Sequence, residues 1–116
     1  MNNLLNSPKS KSGHGFTQFE LVNYLLQNLN KWDLTPTEQL VLLQLASCYN
    51  PKNKFVFPKQ KNIAQKINVT ERSVVRAIQK LVKEGLILIE YKVSNRYAFT
   101  QKLTAELSRL AVNSFA

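Results

Sequence analysis

Residues 63–81 read IAQKINVTERSVVRAIQKL and predict a short helix, a tight turn and a second helix. In the first half, Ile63, Ala64 and Ile67 recur at the spacing of one helical face. Asn68 marks the turn, because Asn tolerates the left-handed backbone that a sharp reversal needs. Thr70 then suits the N-cap of the second helix, where its hydroxyl can accept an otherwise unpaired backbone N–H. The rest of the chain is predicted to pack around these two helices.

The second helix is predicted to span residues 71–84, because Gly85 suits the position that follows a helix. Its inward face would hold Val74, Ile78, Leu81 and Val82, at i, i+4, i+7 and i+8. Its outward face and flanks would hold Arg72, Ser73, Val75, Arg76, Gln79 and Lys80. In the major groove of DNA, Arg side chains read guanine and Gln side chains read adenine. This face is therefore suited to duplex DNA.

The positive charge is concentrated in the same segment. The whole chain has a net charge of +9. Residues 51–83 contain nine basic residues and one acid, a net charge of +8, whereas the other residues together contribute +1. Lys59, Gln60 and Lys61 lie at the predicted start of the first helix, where free backbone N–H groups favour a phosphate. Charge that coincides with two such helices indicates a nucleic-acid partner.

The composition bounds the class of protein. A chain of 116 residues with 44% hydrophobic and 20% charged residues is typical of one soluble domain. No apolar run is long enough to span a bilayer, so we expect a cytoplasmic protein without a membrane partner. The one cysteine, Cys48, cannot form an internal disulfide and is expected to be a small buried hydrophobe.

Catalysis has little support in the sequence. The chain has one aspartate, Asp33, and it has no cluster of His and Cys, no phosphate-binding loop and no nucleophile elbow. We therefore predict that the protein is not an enzyme and that it needs no metal or other cofactor.

Two further helices are predicted before the central pair, after a flexible tail at residues 1–15. Thr17 and Glu20 match a capping box, as do Thr35 and Glu38 with Pro36 at the first helical position. The first of these helices would bury one face, made of Phe19, Leu21, Val22, Leu25, Leu26 and Leu29. The second is apolar almost all round from Leu40 to Tyr49, so we expect it at the centre of the fold.

β-structure and one more helix are predicted around the central pair. Residues 55–57 form a short β-prone run, and residues 86–91 and 96–99 form a hairpin with Lys92 and Arg96 near its tip. The C-terminal helix would present Leu103, Leu107, Leu110 and Ala111 on one face. That face would either cover the protein's own core or pair with a second copy as a homodimer.

Several spaced motifs together resemble a known domain family. They are Phe57-Pro58-Lys59-Gln60, Ile63-Ala64, Ile67-Asn68-Val69-Thr70-Glu71-Arg72-Ser73-Val74, Arg76-Ala77-Ile78, Leu81 and Glu84-Gly85-Leu86-Ile87. Over about residues 34 to 100 the chain resembles the winged helix-turn-helix domains of bacterial regulators. The resemblance is strongest to the domains of plasmid and phage replication initiators and replisome organisers. Departures from the family pattern are Asn68 for the usual Gly in the turn, Lys59 for a capping Ser, and Ser73 for the usual Thr.

The resemblance implies a mainly α fold with a small β-hairpin wing, and extra helices at both ends. It also implies that Arg72, Ser73 and Arg76 contact bases or phosphates. The flanking contacts would be Thr70, Lys59, Gln60, Lys80 and, on the wing, Arg96.

We therefore predict a winged helix-turn-helix domain at residues 16–100 and a C-terminal helix at residues 101–116. Its predicted function is sequence-specific binding of double-stranded DNA, as a transcriptional regulator or a replication-initiation protein. The alternative is a winged-helix adaptor that docks to proteins. An adaptor should present an apolar or neutral outward face on the second helix, whereas this face is basic.

Overall fold

The computed structural model describes residues 16–52, 55–56, 58–91 and 95–113. The predicted tail at residues 1–15 lies outside this part of the chain. The elements of the described residues are α1 (Gln18–Asn28), a short 3-10 helix (Leu29–Lys31), α2 (Pro36–Ser47), α3 (Gln60–Ile67), α4 (Glu71–Lys83), β1 (Ile87–Tyr91), β2 (Asn95–Phe99) and α5 (Gln101–Asn113). None of the described helices has the length and apolarity that crossing a membrane requires.

Both predicted capping boxes are present. The Thr17 hydroxyl accepts the backbone N–H of Glu20 at 3.1 Å, and the Glu20 carboxylate accepts the backbone N–H of Thr17 at 2.8 Å. Thr35 and Glu38 make the same pair of bonds at the start of α2, at 3.2 and 2.8 Å. These bonds pair backbone donors that have no partner within a helix, so the starts of α1 and α2 are fixed locally.

Helix α2 lies at the centre of the fold, as its composition predicts. It packs against α1, α3 and α4. Its residues Val41, Leu42, Leu45 and Ala46 are fully buried. The prediction that Cys48 is buried is wrong, because α2 ends at Ser47 and the Cys48 thiol is exposed. The next residue, Tyr49, is half-buried and stacks on Phe16 with ring centroids 5.2 Å apart.

Helix α1 buries part of the predicted face, with Leu21 and Leu25 in the core and Val22 and Leu29 packed against it, and it adds Tyr24. Leu21, Tyr24 and Leu25 are buried, whereas Phe19 is 77% exposed and Leu26 is 51% exposed. Among the described elements, α1 packs mainly against α2 and α5. An apolar stripe wider than this contact therefore extends into solvent.

The hairpin follows α4 through a glycine turn. Gly85 has φ of +77°, and its N–H and that of Leu86 donate to the carbonyls of Val82 and Leu81, both at 3.0 Å. This is the Schellman arrangement that ends a helix. Strands β1 and β2 are antiparallel. Of the predicted strand at residues 55–57, the structure describes residues 55 and 56, and Val56 forms an isolated bridge in which it exchanges two backbone bonds with Tyr97.

Helix α5 packs back onto the chain. Leu103 and Leu107 are 3% and 4% exposed and belong to the protein's own core. Lys31 Nζ lies 2.6 Å from Glu106 Oε2 and joins the end of α1 to α5. Of the two predicted alternatives for this face, Leu103 and Leu107 cover the protein's own core, so they are not available to the predicted homodimer through Leu103, Leu107 and Leu110. The side chain of Leu110 is outside the described part of the structure.

Candidate nucleic-acid interface

The turn between α3 and α4 has the predicted geometry. Asn68 adopts a left-handed backbone with φ of 60° and ψ of 51°. The next N–H, from Val69, donates to the carbonyl of Ala64 at 3.0 Å. Thr70 is the N-cap of α4, and its hydroxyl accepts the N–H of Ser73 at 3.1 Å. The angle between α3 and α4 is therefore set by two residues whose roles were readable in the sequence.

One face of α4 is committed to the core. Val74, Ala77, Ile78 and Leu81 are buried at 2% exposure or less. Val82 was predicted on this face but is 37% exposed, and Ala77 takes its place. The buried positions follow the i, i+3, i+4, i+7 spacing, and α2 packs against them. The opposite face of α4 consequently points away from the core.

The outward side of α4 carries a row of long polar side chains. Their spacing of i, i+4, i+7 and i+11 aligns them along one line of the helix surface. All four side chains are exposed. We call this row the α4 stripe: Arg72, Arg76, Gln79 and Lys83. Among the described residues, no carboxylate forms an ion pair with its three cations, so their charge is available to a ligand.

Two neighbouring lysines on α4 differ in their availability. Lys80, a predicted site residue, is half-buried on the flank, and its Nζ lies 3.8 Å from Glu84 Oε2. Lys83 was not predicted as a site residue, yet it is exposed and lies on the stripe. The signal for Lys83 was already in the sequence, because it stands seven residues after Arg76.

The start of α3 adds two free cations. Lys59 and Lys61 are exposed beside the N-terminus of the helix. Gln60 between them is half-buried, and its amide donates to the Tyr97 hydroxyl at 3.2 Å. Gln60 therefore ties α3 to β2, and its predicted contact with DNA stays a prediction.

Two predicted hydroxyl contacts are linked to each other. The Thr70 hydroxyl donates to the Ser73 hydroxyl oxygen at 2.9 Å while it caps α4, so Thr70 serves the fold. Ser73 and Arg76 line a shallow cleft of about 160 Å³ against Thr37, Glu38 and Ala77. Ser73 therefore lies next to the α4 stripe, and the hydrogen bond from Thr70 orients its hydroxyl.

The charge of Arg96 on the hairpin is already paired. Arg96 stands opposite Glu90 in the β1–β2 register, and its guanidinium forms an ion pair with that carboxylate. The same guanidinium lies 4.2 Å from the centre of the Phe55 ring. The strand register thus brings an acid directly opposite Arg96, whereas the predicted contact of Arg96 with the DNA backbone stays a prediction. The other predicted wing residue, Lys92, lies outside the described residues.

Comparison with known families finds a likeness in the central part of the chain. Residues 33–87, just under half of the chain, match the family model described as a helix-turn-helix domain. In a helix-turn-helix motif, α4 would stand in the position of the second helix. The β1–β2 hairpin follows directly as the wing, so the predicted winged fold with extra helices at both ends is confirmed.

One solved structure is similar to the chain as a whole. It is the adhesin competence repressor of Streptococcus pyogenes, which is 17% identical and superposes with a TM-score of 0.48 over 97% of this chain and 74% of that one. No curated protein matches the chain closely in sequence. Within the described residues, no group of three or more His, Cys, Asp and Glu side chains could hold a metal ion.

Proposed function

We propose that the protein binds double-stranded DNA in a sequence-specific manner, as a binding protein without a catalytic step. The observation that carries this proposal is the α4 stripe, an exposed row of two arginines, a glutamine and a lysine on the recognition helix. Helix α4 has 13 residues, so it is about 20 Å long, and a helix about 10–12 Å in diameter fits the roughly 12 Å width of a major groove. An adaptor that docks to proteins would need an apolar or neutral surface at this place.

The positions of the free cations suggest separate roles. Arg76 and Gln79 lie in the middle of the stripe, where a helix in the groove is nearest to base edges. Arg72 and Lys83 lie nearer the two ends of α4, where the helix leaves the groove and phosphates are closest. Phosphates that contact Lys59 and Lys61, at the start of α3, would fix the register of the protein on the duplex.

Selection of bound duplexes from a random pool tests the proposal. We expect one recurring sequence motif. Arg76→Ala should weaken binding to that motif by about 1–3 kcal/mol and reduce the sequence preference at one base position. Lys61→Ala should weaken all sequences alike, because phosphates carry no sequence information. A pool that yields no motif, together with binding that is indifferent to salt, would rule the proposal out.

We further propose that the bound site is an operator or a replication origin. Both roles need the same recognition surface, so the position of the site in the genome distinguishes them. Footprinting that places the site across a promoter would support regulation of transcription. A site among repeats at an origin would support replication initiation.

A further inference from the structure

The α4 stripe has an acidic neighbour on another helix. The shallow cleft of about 160 Å³ beside α4 is lined by Ser73, Arg76 and Ala77 on one side and by Thr37 and Glu38 of α2 on the other. Helix α2 thus brings a carboxylate to the flank of the stripe. A negative charge here opposes the attraction that the neighbouring cations exert on a polyanion, so its effect on DNA binding needs an account.

The Glu38 carboxylate is held in place by its own helix. Glu38 is the third residue of α2, and its Oε1 accepts the backbone N–H of Thr35 at 2.8 Å. The Thr35 hydroxyl accepts the backbone N–H of Glu38 in return, at 3.2 Å. These two bonds form the capping box, which limits the conformations that the glutamate side chain can adopt. The negative charge therefore stays beside α4 whatever ligand is bound there.

Glu38 and Arg76 line the same cleft without neutralising each other. Among the described residues, neither side chain forms an ion pair. Arg76 is exposed, whereas Glu38 is half-buried and held by the cap. The guanidinium of Arg76 can therefore extend away from the carboxylate towards a base edge. A phosphate that approached Arg76 in the cleft would instead lie beside the carboxylate as well.

We propose that Glu38 is a specificity-determining residue for DNA recognition by α4, an inference that rests on the proposed function. Its carboxylate repels a phosphate that approaches Arg76, whereas the major-groove edge of a guanine is uncharged and avoids most of this repulsion. A group that penalises the wrong ligand more than the right one increases the difference between their affinities. Phosphates supply nearly all of the attraction in non-specific complexes. Glu38 therefore reserves Arg76 for base contacts and weakens binding to unrelated DNA.

Glu38→Gln should change binding to unrelated DNA more than binding to the selected motif. In this variant Arg76 can contact a phosphate in any sequence, so the slope of log K against log salt for an unrelated duplex should become steeper by about 0.9. At the motif Arg76 already contacts a base, so the slope should keep its wild-type value. The ratio of motif affinity to unrelated affinity should fall about fivefold, as expected when one partly screened repulsion is lost.

Fluorescence anisotropy of the full chain tests the proposal, with the selected duplex and a scrambled duplex of the same composition. Glutamine also serves at this capping-box position, so Glu38→Gln should keep the wild-type circular dichroism and melting temperature. The matched control is Glu20→Gln, which removes the same charge from the same position of the other capping box. Glu20 accepts the backbone N–H of Thr17 at 2.8 Å at the start of α1. This control should keep the wild-type affinity ratio.

A second variant adds charge to the cleft. Thr37 lines the cleft one residue before Glu38, and an acid is favoured in the first turn of a helix, so Thr37→Asp should fold. It should raise the affinity ratio, because binding to the scrambled duplex weakens more than binding to the motif. A ratio that stays unchanged or falls would count against the proposal.

The Arg76→Ala background shows whether Glu38 acts through Arg76. Without the guanidinium, Glu38→Gln should change the affinity ratio no more than Glu20→Gln does. The proposal is overturned if the two glutamate variants give the same ratio in the wild-type background. It is also overturned if Glu38→Gln has its full effect without Arg76. If the wild type selects no motif at all, the proposed function itself fails, and this inference fails with it.

Discussion

The salt dependence of DNA binding follows from which cations the structure leaves free. Seven basic side chains were predicted to contact DNA: Lys59, Lys61, Arg72, Arg76, Lys80, Lys92 and Arg96. Of these, Lys92 lies outside the described residues, and we assign Arg76 to a base. Lys80 is paired with Glu84 and Arg96 with Glu90, so those two are removed. We assign Arg72, Lys83, Lys59 and Lys61 to phosphates. Four phosphate contacts give a slope of log K against log salt of about −3.6, or about a 150-fold loss of affinity between 50 and 200 mM salt.

The decisive perturbation is Lys83→Ala. The exposed Lys83 side chain has no acidic partner among the described residues, so its removal should cost one phosphate contact. The slope should then become shallower, at about −2.7, and the loss of affinity between 50 and 200 mM salt should fall to about 40-fold. Glu84→Gln should have the opposite effect and make the slope steeper, at about −4.5. The reason is that Lys80 loses its acidic partner and becomes free for a fifth phosphate. The control Lys102→Ala removes the same charge from an exposed position on α5 and should leave the slope unchanged.

Fluorescence anisotropy with a labelled duplex at five or more salt concentrations measures these slopes. If Lys83→Ala keeps the wild-type slope, α4 does not lie along DNA as proposed. If Lys102→Ala lowers the slope as much as Lys83→Ala does, the protein responds only to net charge and the assignment of a binding face is refuted.

Four further predictions concern stability, each measured by chemical or thermal unfolding. Leu45→Ala should lower the free energy of unfolding by about 2–5 kcal/mol, because this fully buried side chain fills the centre of α2; a loss below 1 kcal/mol would mean that α2 is not central. Gly85→Ala should lower the free energy of unfolding by about 1–2 kcal/mol. The whole effect should come from the φ of +77°, because a Cβ at this position would touch nothing within 4 Å. Gly85→Asn should lower the free energy of unfolding by less. Thr70→Ala should cost about 1 kcal/mol through the lost cap on Ser73, whereas Thr70→Ser should be near neutral. The hydrogen bond from Lys31 lowers the pKa of Glu106, so its stabilising effect is present at neutral pH and is lost as the pH falls through that lowered pKa. The difference in melting temperature between wild type and Glu106→Gln should therefore vanish in acid, and a difference that persists there would contradict this reasoning.

Much of the fold was predictable because local chemistry determines it. Thr17, Thr35 and Thr70 each pair a backbone N–H within three residues, so these helix starts do not depend on distant contacts. Asn68 and Gly85 adopt the left-handed backbone that their residue types permit. The row of polar side chains on α4 was visible for a similar reason, since helical periodicity alone aligns it.

The candidate site was less predictable, because its availability depends on neighbours. Of the two lysines near the end of α4, Lys83 is the one without an ion pair among the described residues, since Lys80 has an acid one turn away within reach. Arg96 is paired because the register of the hairpin places Glu90 opposite it. Charge and spacing indicate which residues are cationic, but the partner of each cation is set by the packing.

The amino-acid sequence by itself determined the helices, their caps, the turn between α3 and α4, and the concentration of charge on residues 51–83. Only the tertiary structure decided which apolar faces are covered: Leu103 and Leu107 of α5 lie in the core, whereas Phe19 and Leu26 of α1 remain in solvent. The physical reason is that a helical pattern specifies how residues are arranged around one axis. Burial depends on which other elements reach that axis, and those elements come from distant parts of the chain.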